Sequence, residues 1–391
     1  MKQDLAAFAA VLLLLAIAVG GCVTTSAQWS FVVNGDPAYA INSSTYDSIV
    51  CSNITINDTN GVPLEQFLYR YGLYPVTSVT IGDHIYDWQE LASTTDWDQP
   101  VLVLPDGRIF DGQNFLKVDN IVVNMTEKPV HTSLDIEPSL LYALGLGGNA
   151  TLIHERSDRI ILFYVDGFGY ERYEMAKSKG LINNITSLGE PEKIACVYPS
   201  ISIVNSKTLV SGIAPNANRG NFKNYNPDGP SIFQIAEQQG LTGYWLGGKT
   251  APVSLGNYVV NRPDIDKNGY EADEVVAEAL QKYGNEVNLL IVHFKDTDSA
   301  MHASGPYSDR SMAAIQYADE QIGRVLPFLD PGTIVIVYAD HGGHTTFDGG
   351  NHGTLIPEDM IIPFIVHVVQ GDWGSQAAPF FFFSQNNRLP S

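Results

Sequence analysis

The sequence predicts an α/β fold, a mostly parallel sheet with helices on both faces, preceded by a small β-rich N-terminal domain. Three observations carry this. Ile160–Val165, Val287–Phe294 and Thr333–Tyr338 are continuous apolar, largely β-branched runs, the pattern of strands buried on both faces. Helical spacing at Ser231–Gln239, Ala272–Tyr283 and Ser308–Leu329 alternates with them, as expected where helices connect parallel strands. Asp166, Asp298 and Asp340 each fall just after one of the three strands, and open α/β sheets place their sites at the carboxyl ends of strands.

Taken in order, residues 1–22 read as a leader. Lys2 precedes an apolar run from Leu5 to Val19, followed by Gly20, Gly21 and Cys22. The run is short for a membrane span and suits a signal segment. Val19-Gly20-Gly21-Cys22 resembles a lipoprotein cleavage box, with a plain signal peptide and an uncleaved anchor as the alternatives. The expectation is an exported protein, either a membrane-anchored lipoprotein at the cell surface or secreted. Its only membrane contact would be the leader or its lipid, and firm anchoring would need more than one acyl chain.

Residues 23–150 form the expected β-rich domain. Strand-like runs at Ser30–Val33, Ser78–Ile81, Val101–Leu104 and Asn120–Val123 are separated by Asn-Gly and Asp-Gly turn signals. Val62–Tyr71 reads as a short amphipathic helix, and Gly145–Asn149 as a linker. Asn-x-Ser/Thr sites at Asn42, Asn53, Asn57, Asn124, Asn149 and Asn184 suit a glycosylated surface protein. Cys51 and Cys196 either pair as one disulfide or remain buried thiols. Residues 153–391 form the expected catalytic domain. A length of 391 residues suits two domains, and 45% hydrophobic residues suit a sizeable core. The net charge of −21 argues against a nucleic-acid duplex as partner, since duplex binding needs basic patches.

Six residue positions carry the chemistry. Asp298 and His302 lie four residues apart, so a helical turn aims both at one ion. Asp166, Asp340, His341 and His352 complete a set of three carboxylates and three imidazoles, enough for two divalent metal ions with three protein ligands each. Mixed Asp/His ligation suits Zn²⁺ best, ahead of Mn²⁺ or Fe. The segment Pro199-Ser200-Ile201-Ser202-Ile203-Val204-Asn205 reads as the start of a helix near Val204. A helix N-terminus offers free N–H groups to phosphate, and a metal could activate the Ser202 hydroxyl there. Taken alone, Ser202 would read as a helix cap. Asn205 could donate to a non-bridging phosphate oxygen.

These motifs together resemble the alkaline phosphatase superfamily, and within it the type I phosphodiesterases and nucleotide pyrophosphatases. The likeness rests on Val165-Asp166-Gly167, Pro199-x-x-Ser202-x-x-Asn205, Asp298-x-x-x-His302-x-x-Gly305-Pro306, Asp340-His341-Gly342 and His352-Gly353, and covers roughly the last three-fifths of the chain. It implies one ion on Asp298, His302 and His352, and another on Asp166, Asp340 and His341 beside Ser202. Ser202 would attack phosphorus to give a phosphoseryl intermediate, which water then hydrolyses. The implied activity is hydrolysis of phosphodiester or pyrophosphate bonds in a small phosphorylated substrate, a nucleotide among the candidates. Ser202 stands where Thr is usual, Val204 where Pro is common and Ser206 where His is common. The short interval from His341 to His352 leaves no room for a large inserted cap.

Several competitors stand beside this set. His344 and His293 could displace an imidazole ligand, and Asp296 could displace Asp298. Asp319 and Glu320 read as structural or surface residues. Gly247-Gly248-Lys249-Thr250 lacks the first glycine of a phosphate loop and reads as a turn, with Lys249 as a candidate substrate contact. The alternative functions are a phosphomonoesterase or phosphonate hydrolase on the same site, and a non-catalytic cell-surface binding protein.

Overall fold

The structure, a computed structural model, describes residues 28–370 apart from 35–37, 49–52, 65–66, 69–72, 74–75, 88–100, 126–130, 214–223, 281–286 and 355. The leader, Cys22, Cys51 and part of the helix expected at Val62–Tyr71 lie outside the described residues. Among the described residues no helix is long and apolar enough to cross a membrane.

The centre of the fold is a seven-stranded sheet. In chain order its strands are β1 (Ile160–Val165), β2 (Glu192–Ala195), β3 (Gly243–Gly247), β4 (Val259–Asn261), β5 (Leu289–Phe294), β6 (Ile334–Tyr338) and β7 (Ile361–Val368). Across the sheet they run β2-β7-β6-β1-β5-β3-β4. β1 pairs parallel with both β5 and β6, and β3 pairs parallel with β5 and β4. β7 runs antiparallel to β6 and β2, so it alone opposes the rest. Every residue of β1, β5 and β6 is buried. Successive side chains alternate between faces, so both faces of the sheet are covered, and this explains why the three runs read as unbroken apolar stretches.

The helices that matter for the site are α1 (Tyr170–Ser178), α2 (Ser202–Ser211), α3 (Ile232–Gln238), α4 (Ala272–Glu278), α5 (Asp296–Ser304) and α6 (Asp309–Val325). In α6 the Ser308 side chain accepts from Ser311 N, which caps the helix start, and its apolar stripe (Met312, Ile315, Ile322, Val325) is buried. Asp319 on this stripe is also buried. Its carboxylate accepts from the main-chain N–H of Asn184 and Ile185, so it serves as a structural cap. The Asn184 amide is engaged with the same carboxylate at 2.8 Å.

Upstream lie two five-stranded sheets. One orders the strands 39–42, 30–34, 120–125, 76–81 and 84–87; the other orders 54–56, 59–63, 102–103, 109–110 and 115–116. The segment that follows these strands touches the central sheet. Thr132 bridges Ala195 at the edge of β2, and Ser133 is hydrogen-bonded to Asn205 of α2 at 3.2 Å. Cys196 is a buried free thiol.

Candidate active site

The loops that leave β1, β5 and β6 at their carboxyl ends bring the expected residues together. Asp166 directly follows β1, Asp298 lies in the first turn of α5 just beyond β5, and Asp340 lies two residues beyond β6. Asp298, His302 and His352 offer ligand atoms that all lie within 4.8 Å of one another, and Asp166, Asp340 and His341 do the same. This grouping of the six residues is the one that the family resemblance implies.

The three imidazoles share one arrangement. His302 Nδ1 faces Gly350 O at 3.0 Å, His341 Nδ1 faces Gly342 O at 2.7 Å, and His352 Nδ1 faces Ser200 O at 2.8 Å. A carbonyl can only accept, so each Nδ1 carries the proton and each Nε2 keeps its lone pair for the cluster. Fixing a ligand's tautomer through its second nitrogen is how metal sites orient imidazoles. Burial first, then the neighbouring His341, pushes the His352 pKa down to about 3, so its ring stays neutral, the form that can ligate.

The carboxylates fit cations. Burial, then Asp340 and Asp298, drives the Asp166 carboxyl well above the usual range. Three buried acids lie close together, an arrangement that bound positive charge would relieve. Asp298 Oδ1 and Asp340 Oδ2 are buried with no hydrogen-bond partner. Orphaned carboxylate oxygens at both clusters are what two ion sites would leave in the protein alone. The residues therefore fit two divalent ions.

Ser202 is the first residue of α2, two positions earlier than expected, and Ile201 is the N-cap. Its hydroxyl does not cap the helix. Ser202 Oγ lies 3.2 Å from Asp166 Oδ1 and 3.1 Å from His341 Nε2, within the second cluster and at the positive end of the helix dipole.

Asn205 does something other than predicted. It is fully buried. Its Nδ2 donates to the carbonyls of Val197, Pro199 and Ile201, while its Oδ1 accepts from Val197 N and Ser133 Oγ. No donor remains for a phosphate oxygen, so the residue positions the Ser202 loop. Lys249 is exposed, and no described contact joins it to the clusters. A basic group near the site is Lys295, whose ammonium donates to Thr250 Oγ1 at 3.3 Å and whose charge favours ionised Asp166. The sequence offered no motif for it.

The competitors separate cleanly. His344 is held by Asp359 at 2.8 Å, away from the clusters. Asp296 accepts from Glu271 N and Ala272 N at the start of α4. His293 donates from Nε2 to Asp166 Oδ2 at 2.8 Å, so it supports a ligand rather than replacing one. Sequence reasoning missed that role; the one signal was a lone polar residue near the carboxyl end of an apolar strand. Arg172 was also missed. Its buried guanidinium donates to the carbonyls of Gly167, Thr297 and Pro306 and to Ser311 Oγ. It ties the loop after β1 to both ends of α5.

Residues 239–368 match the metalloenzyme superfamily. The matched stretch contains Asp298, His302, Asp340, His341 and His352. The chain is similar to ectonucleotide pyrophosphatase/phosphodiesterase family member 3 of Rattus norvegicus (27% identical, 47% of this chain and 24% of that protein) and of Mus musculus (26%, with the same shares). It thus spans about a quarter of the length of these relatives. Among solved structures, murine ectonucleotide pyrophosphatase/phosphodiesterase 5 aligns at 14% identity and a TM-score of 0.36, covering 48% of this chain and 57% of that one. That likeness is too low to bear on the site. The likeness to a metalloenzyme superfamily therefore rests on residues 239–368 and on the curated relatives.

Proposed function

We propose that the chain hydrolyses phosphodiester or pyrophosphate bonds in small phosphorylated substrates, with Ser202 as nucleophile. The observation that carries this reading is Ser202 Oγ within 3.2 Å of ligand atoms of the Asp166 cluster, at the start of a helix. The Asp298 cluster adjoins, with His341 and His352 stacked 3.7 Å apart between centroids. Two divalent ions, Zn²⁺ for this donor set, would supply Lewis acidity that lowers the pKa of the Ser202 hydroxyl and offsets phosphate charge. Asp166, Asp340 and His341 would hold one, and Asp298, His302 and His352 the other. The chain's own groups do the rest. The N–H groups at the start of α2 receive non-bridging oxygens. Ser202 Oγ gives up its proton to water and bonds to phosphorus as the leaving oxygen departs, giving a phosphoseryl intermediate. Water then attacks phosphorus and returns the serine.

With Asn205 committed elsewhere, the preference for diesters over monoesters rests on similarity to relatives named as pyrophosphatase/phosphodiesterases. Comparing bis-(4-nitrophenyl) phosphate with 4-nitrophenyl phosphate tests it, and monoester turnover far above diester turnover refutes the preference. Ser202→Ala should lower turnover by on the order of 10³ or more without shifting the melting temperature. An unchanged rate would refute the nucleophile, and no turnover of either substrate, with Ser202→Ala indistinguishable from the wild type, would favour a binding protein. Export through the leader, lipidation at Cys22 and glycosylation of the remaining sequons belong to the same proposal. Mass spectrometry of the protein purified from its source would test them.

A further inference from the structure

Lys295 stands at the carboxyl end of β5, between the strand and the first turn of α5. β5 pairs parallel with β1, Val165 lies opposite Phe294, and Asp166 N donates to Phe294 O at 3.1 Å. Lys295 therefore leaves β5 level with the point where Asp166 leaves β1. Two residues earlier on the same strand, His293 holds Asp166 Oδ2 at 2.8 Å. The Lys295 ammonium donates to Thr250 Oγ1 in the loop that follows β3. It thus bridges from β5 to its neighbour β3, on the side of Asp166 away from β6, Asp340 and His341. Its charge favours ionised Asp166. Burial first, and the Lys295 charge second, push the His293 pKa down to about 3. The ammonium is close enough to act on both.

Its partner is what sets this lysine apart. Lys295 is half-buried, yet its ammonium is bonded to a neutral hydroxyl, and among the described residues it forms no ion pair. Acids are plentiful, 43 against 22 lysines and arginines, and other half-buried bases take one. Lys207 pairs with Asp228 at 3.1 Å and Arg262 with Glu278 at 2.7 Å. A partly desolvated charge is costly without a counter-charge. An ammonium has three donors, and Thr250 occupies one, which leaves two for an anion that arrives from outside.

We propose that Lys295 is a further catalytic residue, its ammonium donating to a non-bridging oxygen of the phosphoryl group at the two clusters. This rests on the hydrolase reading with Ser202 as nucleophile. Lys295 takes the part expected of Asn205, whose donors are committed to main-chain carbonyls. Thr250 is the positioning residue that aims the ammonium. A lysine acts as a point charge rather than a bidentate fork, so the contact strengthens with the charge on the phosphoryl group. A diester carries one negative charge, and the monoester released from it carries about two at neutral pH. Lys295 should therefore hold the product more firmly than the substrate.

Titration calorimetry of inorganic phosphate into the full chain loaded with Zn²⁺ tests this, beside turnover of bis-(4-nitrophenyl) phosphate and elemental analysis. Lys295→Met should weaken phosphate binding by about ten- to a hundredfold, the worth of a charge-assisted hydrogen bond. It should raise KM for the diester by a smaller factor and keep two ions per chain. Lys295→Arg should bring phosphate affinity back to within about threefold of the wild type. Unchanged phosphate affinity in Lys295→Met overturns the proposal. So does loss of metal in that variant, which would make the lysine a support for the ligands. If Lys295→Met fails to fold, Thr250→Val on the exposed loop provides the readout. Phosphate binding weaker by about threefold or more supports the contact, and unchanged binding overturns it. A chain that binds phosphate through Lys295 but turns over no ester defeats the hydrolase reading and keeps the contact. One that turns over the diester with phosphate affinity indifferent to Lys295 defeats the contact and keeps the reading.

Discussion

Asn205 spends its hydrogen-bonding capacity on the chain around it, and that decides how a substitution there should behave. Replacing it with alanine strands the Val197 N–H and the carbonyls it serves in a buried place. We expect Asn205→Ala to cost about 2–3 kcal/mol in urea unfolding, with loss of activity following from displacement of Ser202. A phosphate-contacting residue would give the opposite result, normal stability with reduced turnover. The sequence could mark this asparagine as important, but its orientation depends on the loop 197–201 folding back over it, which no local pattern encodes. His293 and Lys295 make the same point. Each matters because of a partner far along the chain, Asp166 in one case and Thr250 in the other.

At the level of elements, the strand ends bring the three aspartates to one edge, but a side chain that was not foreseen fixes the loops. Arg172 on α1 is fully buried, and burial lowers its pKa to about 10, still well above neutrality, so it stays charged. Arg172→Met would leave the acceptors at Gly167, Thr297, Pro306 and Ser311 without their donor, while Asp298 and Asp166 lose a nearby positive charge. We predict a loss of about 3 kcal/mol in stability and metal content well below two ions per chain by elemental analysis. Normal metal content would show that the two loops hold their form without it. The hairpin formed by His344–Thr346 and Gly349–Asn351 makes a second such link. Gly350 presents its carbonyl to His302, and a side chain at Gly349 would strike His302 O at 2.2 Å. That contact explains Gly349, and a side chain at Gly342 or Gly343 would likewise strike Glu358 O or Met301 Sδ.

At the scale of the molecule, the helix Ile136–Ala143 packs on α2, so contacts cross the boundary drawn from sequence near residue 150. Glu137 lies at this junction, beside Gly212 at the end of α2. Burial raises its pKa from 4.5 to about 7. The folded state therefore holds this proton more tightly than the unfolded chain. The stability it contributes is full below about pH 4.5 and is lost as pH rises through 7. Glu137→Gln should match the wild type near pH 4.5 and exceed it by about 2 kcal/mol at pH 8. Denaturant melts at both pH values check this, and an equal difference at both would refute it.

The amino-acid sequence by itself determined the three strands at the middle of the central sheet and six candidate ligand positions, because each is written locally, while their grouping into two triads and the part given to Ser202 came from the family resemblance. An apolar run buried on both faces, a four-residue Asp-to-His spacing and a ligand just past a strand are all short-range patterns. The start of α2, the duty of Asn205, the clamp of Arg172 and the rejection of His344 and Asp296 were decided only by tertiary structure. In each case the deciding partner is a backbone group or charge brought close by folding. The two triads were legible as six residues that could hold ions. It took the fold to point three Nε2 atoms and two orphaned carboxylate oxygens into one pocket, because tautomer and orientation are set by carbonyls that the sequence does not place.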